Sequence, residues 1–334
     1  MERFILLLAF LGTQSLLFSQ MPHLDFIGAG HDNLVTVTTS NSDGKKTVDG
    51  FPITNPDQLK DASRFLAQAT FGADYSTIEM TAAMGYEAWL QEQFSLPQIS
   101  ILGEMVEHAN IHGEGSSSEL GDITSNWFRT AWMTNNLTTP DLLRQRMAFV
   151  LSQIYVVNDN SDLFFDFGQL VGGYYDMLAG NVFENYSKLL SDVTLSPAMG
   201  LFLSHYNNPK ADPANNIHPD ENYAREIMQL FSIGLWELNQ NGTKKYDANG
   251  EFIPTYTNAD IKEFAKVFTG LGSGSPAGVF GEFDEDEYIM EALTNPMKMY
   301  QDHHEISEKY LLNGYIIPAN QSGMDDIYQT VAFL

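Results

Sequence analysis

Cysteine is absent from the 334-residue chain. That removes disulfides, thiolate metal sites, a cysteine nucleophile and lipid attachment through an N-terminal cysteine. Positive charge is scarce: 17 Lys and Arg stand against 43 Asp and Glu, a formal charge of −26. A surface this acidic repels nucleic acid and anionic lipid, which leaves cations, cationic surfaces and uncharged polymers as partners. After Phe18 no apolar run is long enough to span a bilayer. Several motifs are missing as well. The sequence holds no GK[ST] phosphate loop, no GxGxxG after a strand, no HExxH helix and no GxSxG elbow.

Residues 1–20 read as an export signal, with Arg3 ahead of a nearly unbroken apolar run from Phe4 to Phe18 and small Ser15 and Ser19 near a cut. An uncleaved anchor is the alternative, although the run falls short of the roughly 20 residues a spanning helix needs. Export without disulfides fits a bacterial periplasmic, cell-surface or extracellular setting. Residues 21–55 are poor in helix formers and form an N-terminal arm in which Leu34 to Thr39 is strand-like.

From residue 56 helical periodicity takes over, and the expected fold is mostly α: a multi-helix globular domain over 56–334 with one small β-hairpin at Lys244 to Thr257, turning at Asn249-Gly250. Asn55-Pro56-Asp57, Ser76 to Glu79, Thr139-Pro140-Asp141 and Thr257 with Asp260 are expected helix starts. Gly113 to Ser118 reads as a surface loop, and Glu282 to Glu291 as an acidic solvated face. Met324 to Leu334 is becoming an apolar helix when the chain stops, so a C-terminal part is expected to be missing.

The chemistry-bearing stretch is His218 to Leu238. On a helix, Tyr223, Ile227, Leu230 and Phe231 share one side, and Glu221, Asn222, Arg225, Gln229 and Ser232 the other. Pro219, Asp220 and Glu221 suit the first turn. Glu221 and Arg225 lie one turn apart, as do Asn222 and Glu226. Glu221 and Glu226 lie about 140° apart around the axis, which makes them poor mutual partners in acid–base work. The stripe has two readings: a functional cleft with Glu221, Arg225 and Glu226 as acid, base or orienting groups, or an internal ion-pair network with Arg144 or Arg146. A second cluster is Asp302-His303-His304-Glu305. Imidazole with carboxylate suits zinc, iron or manganese, so His303, His304 and His218 are the candidate ligands of a divalent metal. His205 reads as a capping or core residue.

Arg64-Phe65-Leu66 with Ala69 to Gly72, Trp89 to Phe94, Arg146 to Phe149 and above all Glu221-Asn222-Tyr223-Ala224-Arg225-Glu226 resemble the bacterial family called domain of unknown function 1800 (DUF1800). Tyr256-Thr257 with Asp260, Phe268-Thr269-Gly270, and His303-His304-Glu305 to Lys309 are similar to later motifs of that family in the same order. The resemblance spans Asp61 to Leu334. It implies an exported, mostly helical protein whose relatives continue into a further helical part, and it implies no established activity. Two functions stand as expectations: a secreted hydrolase-like enzyme acting on extracellular polymer, and a non-catalytic envelope or surface assembly protein.

Overall fold

A computed structural model describes residues 55–111, 123–282 and 289–334, together with the backbone of 47–48 and 51–52. The leader, the Leu34 to Thr39 strand, the Gly113 to Ser118 loop and most of the acidic run lie outside these residues. The fold is mostly α. Its helices are α1 Pro56–Ala69, α2 Tyr75–Met84, α3 Tyr86–Ser95, α4 Ile101–Ile111, α5 Ser125–Thr138, α6 Leu142–Ile154 and α7 Asp162–Asp166. They continue with α8 Gly168–Gly180, α9 Tyr186–Leu195, α10 Pro197–Phe202, α11 Asn222–Gln229, α12 Asn258–Val267, α13 Ile289–Thr294 and α14 Gly323–Phe333. Three two-residue antiparallel pairs accompany them: β1 Thr47–Val48 with β2 Phe51–Pro52, β3 Leu271–Gly272 with β4 Lys298–Met299, and β5 Lys309–Tyr310 with β6 Ile316–Ile317.

Local sequence sets most helix starts. Asn55 caps α1 through Asp57 N, with Pro56 in the first turn. Thr257 and Asp260 complete both halves of a capping box on α12. The expected box at Ser76 to Glu79 does not form. Asp74, a strong cap two residues earlier, accepts from Thr77 N at 2.7 Å and draws Ser76 into α2.

The chain divides into two compact units. The first comprises residues up to Pro97 and returns at Asn136–Arg146. In it Ala62 and Leu66 of α1, Ile78 of α2 and Trp89 of α3 are buried, and Phe65 stacks on Tyr86 at 4.6 Å. The buried Gln93 amide donates to Pro140 O and accepts from Leu143 N, which fixes the start of α6. An apolar groove of about 1020 Å³ runs past Phe71, Met80, Met84 and Leu137.

The second unit comprises Gln98–Asn135 and Met147–Leu334. Its middle is α8, which buries Leu170, Val171, Tyr174, Tyr175, Leu178 and Ala179. Helices α4, α7, α9, α10 and α13 pack around it. A second layer joins α11 to α12 and α12 to α14 and β5. Here His205, Tyr223 and Phe268 interlock: the His205 ring stacks on Tyr223 at 3.9 Å, and Phe268 meets Tyr223 edge-on at 4.9 Å. His205 Nε2 donates to Thr194 O at 2.9 Å, and the Tyr223 and Thr194 hydroxyls lie 2.7 Å apart. Burial lowers the His205 pKa to about 4, so this core histidine is neutral at pH 7.

Between α11 and α12 the chain makes three short segments, each paired with the other two. Antiparallel bridges join Trp236 to Pro254, Leu238 to Lys244 and Tyr246 to Phe252. The expected turn at Asn249-Gly250 is present, with Gly250 at φ 84, and an earlier turn at Gly242, φ 81, adds the segment that the hairpin reading left out.

Candidate functional site

The polar stripe lies on a shorter helix than its periodicity suggests. At the front, Asp220 Oδ1 accepts from Asn222 N at 2.8 Å, and Asp220 N donates to Asn208 Oδ1 at 2.9 Å. An Asp-capped turn therefore replaces the first helical turn expected at Pro219, and α11 begins at Asn222. At the back, the Ser232 hydroxyl takes Ile227 O at 2.6 Å, and Gly234 at φ 74 turns the chain with its N–H on Met228 O. Tyr223, Ile227 and Phe231 are buried as their spacing predicts. Leu230 is not: the helix has ended, and its side chain is 61% exposed.

Glu221 and Arg225 meet as the one-turn spacing requires, with Arg225 Nη2 3.6 Å from Glu221 Oε2 and both side chains more than a third exposed. A pair so placed contributes about 0.3 to 0.5 kcal/mol. Glu226 differs. Its Oε2 is sealed from solvent and has no hydrogen-bond partner. Desolvation raises its pKa above the ordinary 4.5, and Arg225 pulls in the other direction. Tyr256 belongs to the same environment. Its hydroxyl donates to Gln229 Oε1 at 2.9 Å, and burial raises its pKa, with Arg225 opposing and Glu226 adding to the rise. A carboxyl of raised pKa that keeps one oxygen uncommitted, beside a guanidinium and a phenol, can give or take a proton.

The histidine cluster resolves into two unlike residues. His303, at the end of the 3₁₀ turn Gln301–His303, is exposed and lies flat on Phe280, ring centroids 4.0 Å apart. His304 is fully buried: Nδ1 is 2.8 Å from Thr269 O, and Nε2 is 3.0 Å from Asp326 Oδ2. Lys309, also buried, donates to Glu305 O at 2.5 Å and Ser307 O at 3.2 Å and pairs with Asp326 Oδ2 at 2.6 Å. Gly323 permits this approach, because a Cβ there would lie 2.8 Å from His304 Nδ1.

His218 is exposed ahead of α11. The three expected metal ligands are not gathered: among the described residues no group of three or more His, Cys, Asp or Glu side chains is placed to hold a metal ion. Both His304 nitrogens are already engaged by protein. Nor do the two expected clusters share a polar centre. Among the described residues no side-chain bond joins Glu221, Arg225 or Glu226 to 302–305. The link is through backbone: Lys210 N donates to His303 O at 2.8 Å, and Asn208 O accepts from Gly270 N at 2.8 Å. Asp326 and Tyr256 are the partners that sequence reasoning missed. Asp326 sits with Gly323, Ile327, Thr330 and Val331 on the buried face of α14, so an acid at an apolar-face position was the available signal.

Residues 64–334 match the sequence profile of DUF1800, described as a protein of unknown function. The chain belongs to the DUF1800 family. The match takes in α11, the three paired segments after it, the buried Lys309, His304 and Asp326 side chains, and α14. Among curated proteins and solved structures, none matches. Membership of DUF1800 thus accounts for the motifs around Glu221 to Glu226 and His303 to Lys309 and leaves their chemistry to be argued from geometry.

Proposed function

We propose that this DUF1800 protein is an exported, hydrolase-like enzyme that acts on an uncharged extracellular polymer, with Glu226 as its proton donor and acceptor. The observation that carries the reading is Glu226 itself, a carboxyl of raised pKa with one oxygen sealed from solvent and unpaired. A leaving oxygen would take the Glu226 proton as water attacks, and the proton of that water would restore the acid, so the site ends each cycle as it began. Arg225 and Tyr256 would orient the polar substrate, and Glu221 would hold the Arg225 guanidinium. Export is supported by the Arg3 and Phe4 to Phe18 leader, and the choice of an uncharged polymer by the charge of −26.

Screening the purified full chain against fluorogenic glycosides, esters and peptides tests this directly. An activity that Glu226→Gln lowers by 10² to 10⁴-fold without altering the fold supports it, since that is the usual range for a general acid. Full activity in the variant, or no turnover of any substrate, removes it. The second reading, a non-catalytic envelope or surface assembly protein, is favoured by the most deeply buried ionisable side chains: Lys309, His304 and Asp326 are committed to one another and to backbone carbonyls. It requires that Glu226→Gln change nothing but local electrostatics.

A further inference from the structure

The three segments between α11 and α12 alternate their side chains in period two. Glu237, Lys245 and Ile253 take one face, while Trp236, Leu238, Lys244, Tyr246 and Phe252 take the other. The second face is apolar and open to solvent: Leu238 is 54% exposed, Tyr246 63% and Phe252 39%. Its rings form a continuous surface, Trp236 to Phe252 at 5.5 Å and Phe252 to Tyr246 at 5.0 Å. An apolar face on a soluble surface is a feature to be accounted for.

We infer that this aromatic face is a binding platform for a neutral glycan chain, which would deliver the polymer to the Glu226 site; the inference rests on the reading of that site given above. Charge selects the occupant. Aromatic faces are negative and attract the weakly positive C–H edges of a sugar ring as they attract cations. The cation position over two of the rings is already filled, since Lys244 Nζ lies 4.9 Å from the Trp236 centroid and 4.4 Å from that of Phe252, and the Tyr246 ring is left open to the sugar. A polycation would therefore meet an ammonium at the platform, and a polyanion would meet a chain of charge −26. A neutral polymer with many C–H and O–H groups suffers neither repulsion. Continuity with the candidate site supports the assignment. The first segment leaves α11 at Gly234-Leu235, and the last returns through Thr255, whose N–H donates to Leu235 O and whose hydroxyl donates to Gly234 O. The next residue, Tyr256, donates to Gln229 on α11.

The test is native affinity electrophoresis of the full chain in gels holding hydroxyethyl cellulose, laminarin, glucomannan or soluble starch, with dextran sulfate and chitosan as charged controls. Retardation by at least one neutral glycan, weakened tenfold or more in Tyr246→Ala and Phe252→Ala, is expected. Circular dichroism checks the fold of each variant, and Leu238→Lys, a substitution at an exposed position, gives an independent block of the same face. Retardation by no neutral glycan, by a charged polymer alone, or equally in wild type and all three platform variants overturns the inference. The two proposals fail separately. Glu226-dependent turnover of small soluble substrates without glycan retention sinks the platform alone, whereas retention without any turnover sinks the catalytic reading alone.

Discussion

Two groups of ionisable residues in the second unit present opposite solutions to the same problem. At Lys309, Asp326 and His304, charge is taken wholly out of water, and nearly every donor finds an acceptor; Asp326 Oδ1 is the one atom left over. At α11, Arg225 and Glu221 remain half in solvent, while Glu226 next to them is desolvated and unpaired. The first arrangement resists change, because losing one member strands the others in a dry interior. The second leaves a carboxyl with unspent capacity, the condition in which a group can serve a substrate. The motif conspicuous for its histidines is thus a structural clamp on α14, and the stripe conspicuous for its charge pairs owes its interest to the one acid that is not paired.

Substitutions can break or sharpen this contrast. The largest effect is expected from Asp326→Leu, which strands buried Lys309 and should cost about 3 to 5 kcal/mol in urea unfolding. Adding Lys309→Met and His304→Phe to it should recover much of the loss, because an apolar trio of similar volume needs no desolvation of charge.

The core imidazole comes next. The folded state holds His205 with a pKa near 4, against 6.5 when unfolded, so the unfolded chain binds more protons between those values. Its contribution is present above pH 6.5 and lost as pH falls toward 4, on the order of 3 kcal/mol in all. His205→Phe should flatten that acid limb in melting scans from pH 7 to pH 4.

Smaller still is Glu226→Gln. Burial raises the native pKa, so the folded state binds more protons just above pH 4.5, and stability declines as pH rises through that window. Removing the charge should leave the melting temperature at pH 7 equal or slightly higher, because a desolvated carboxylate costs stability. Arg225→Ala is expected to be nearly silent, within about 0.5 kcal/mol, because its pair with Glu221 is exposed.

Much of this architecture was legible in the amino-acid order. Asn55-Pro56 and Thr257 with Asp260 marked helix starts that formed as expected, because each cap acts within a few residues of itself. The α11 face was legible at Tyr223, Ile227 and Phe231 and illegible at Leu230, since side-chain competition from Ser232 ended the helix early. The site was half legible. Glu221 with Arg225 followed from one-turn spacing, but whether Glu226 is wet or dry depends on what the rest of the fold lays beside it. Asp326 reaches His304 across 22 residues, and no local period announces such a partner.

The most direct test of the contrast is a carbon-detected NMR titration of the Glu226 carboxyl in the intact protein. A midpoint above 4.5, shifted further upward in Arg225→Ala, is the expected result. A midpoint at or below 4.5 would make Glu226 an ordinary solvated carboxylate and leave α11 without a chemical centre.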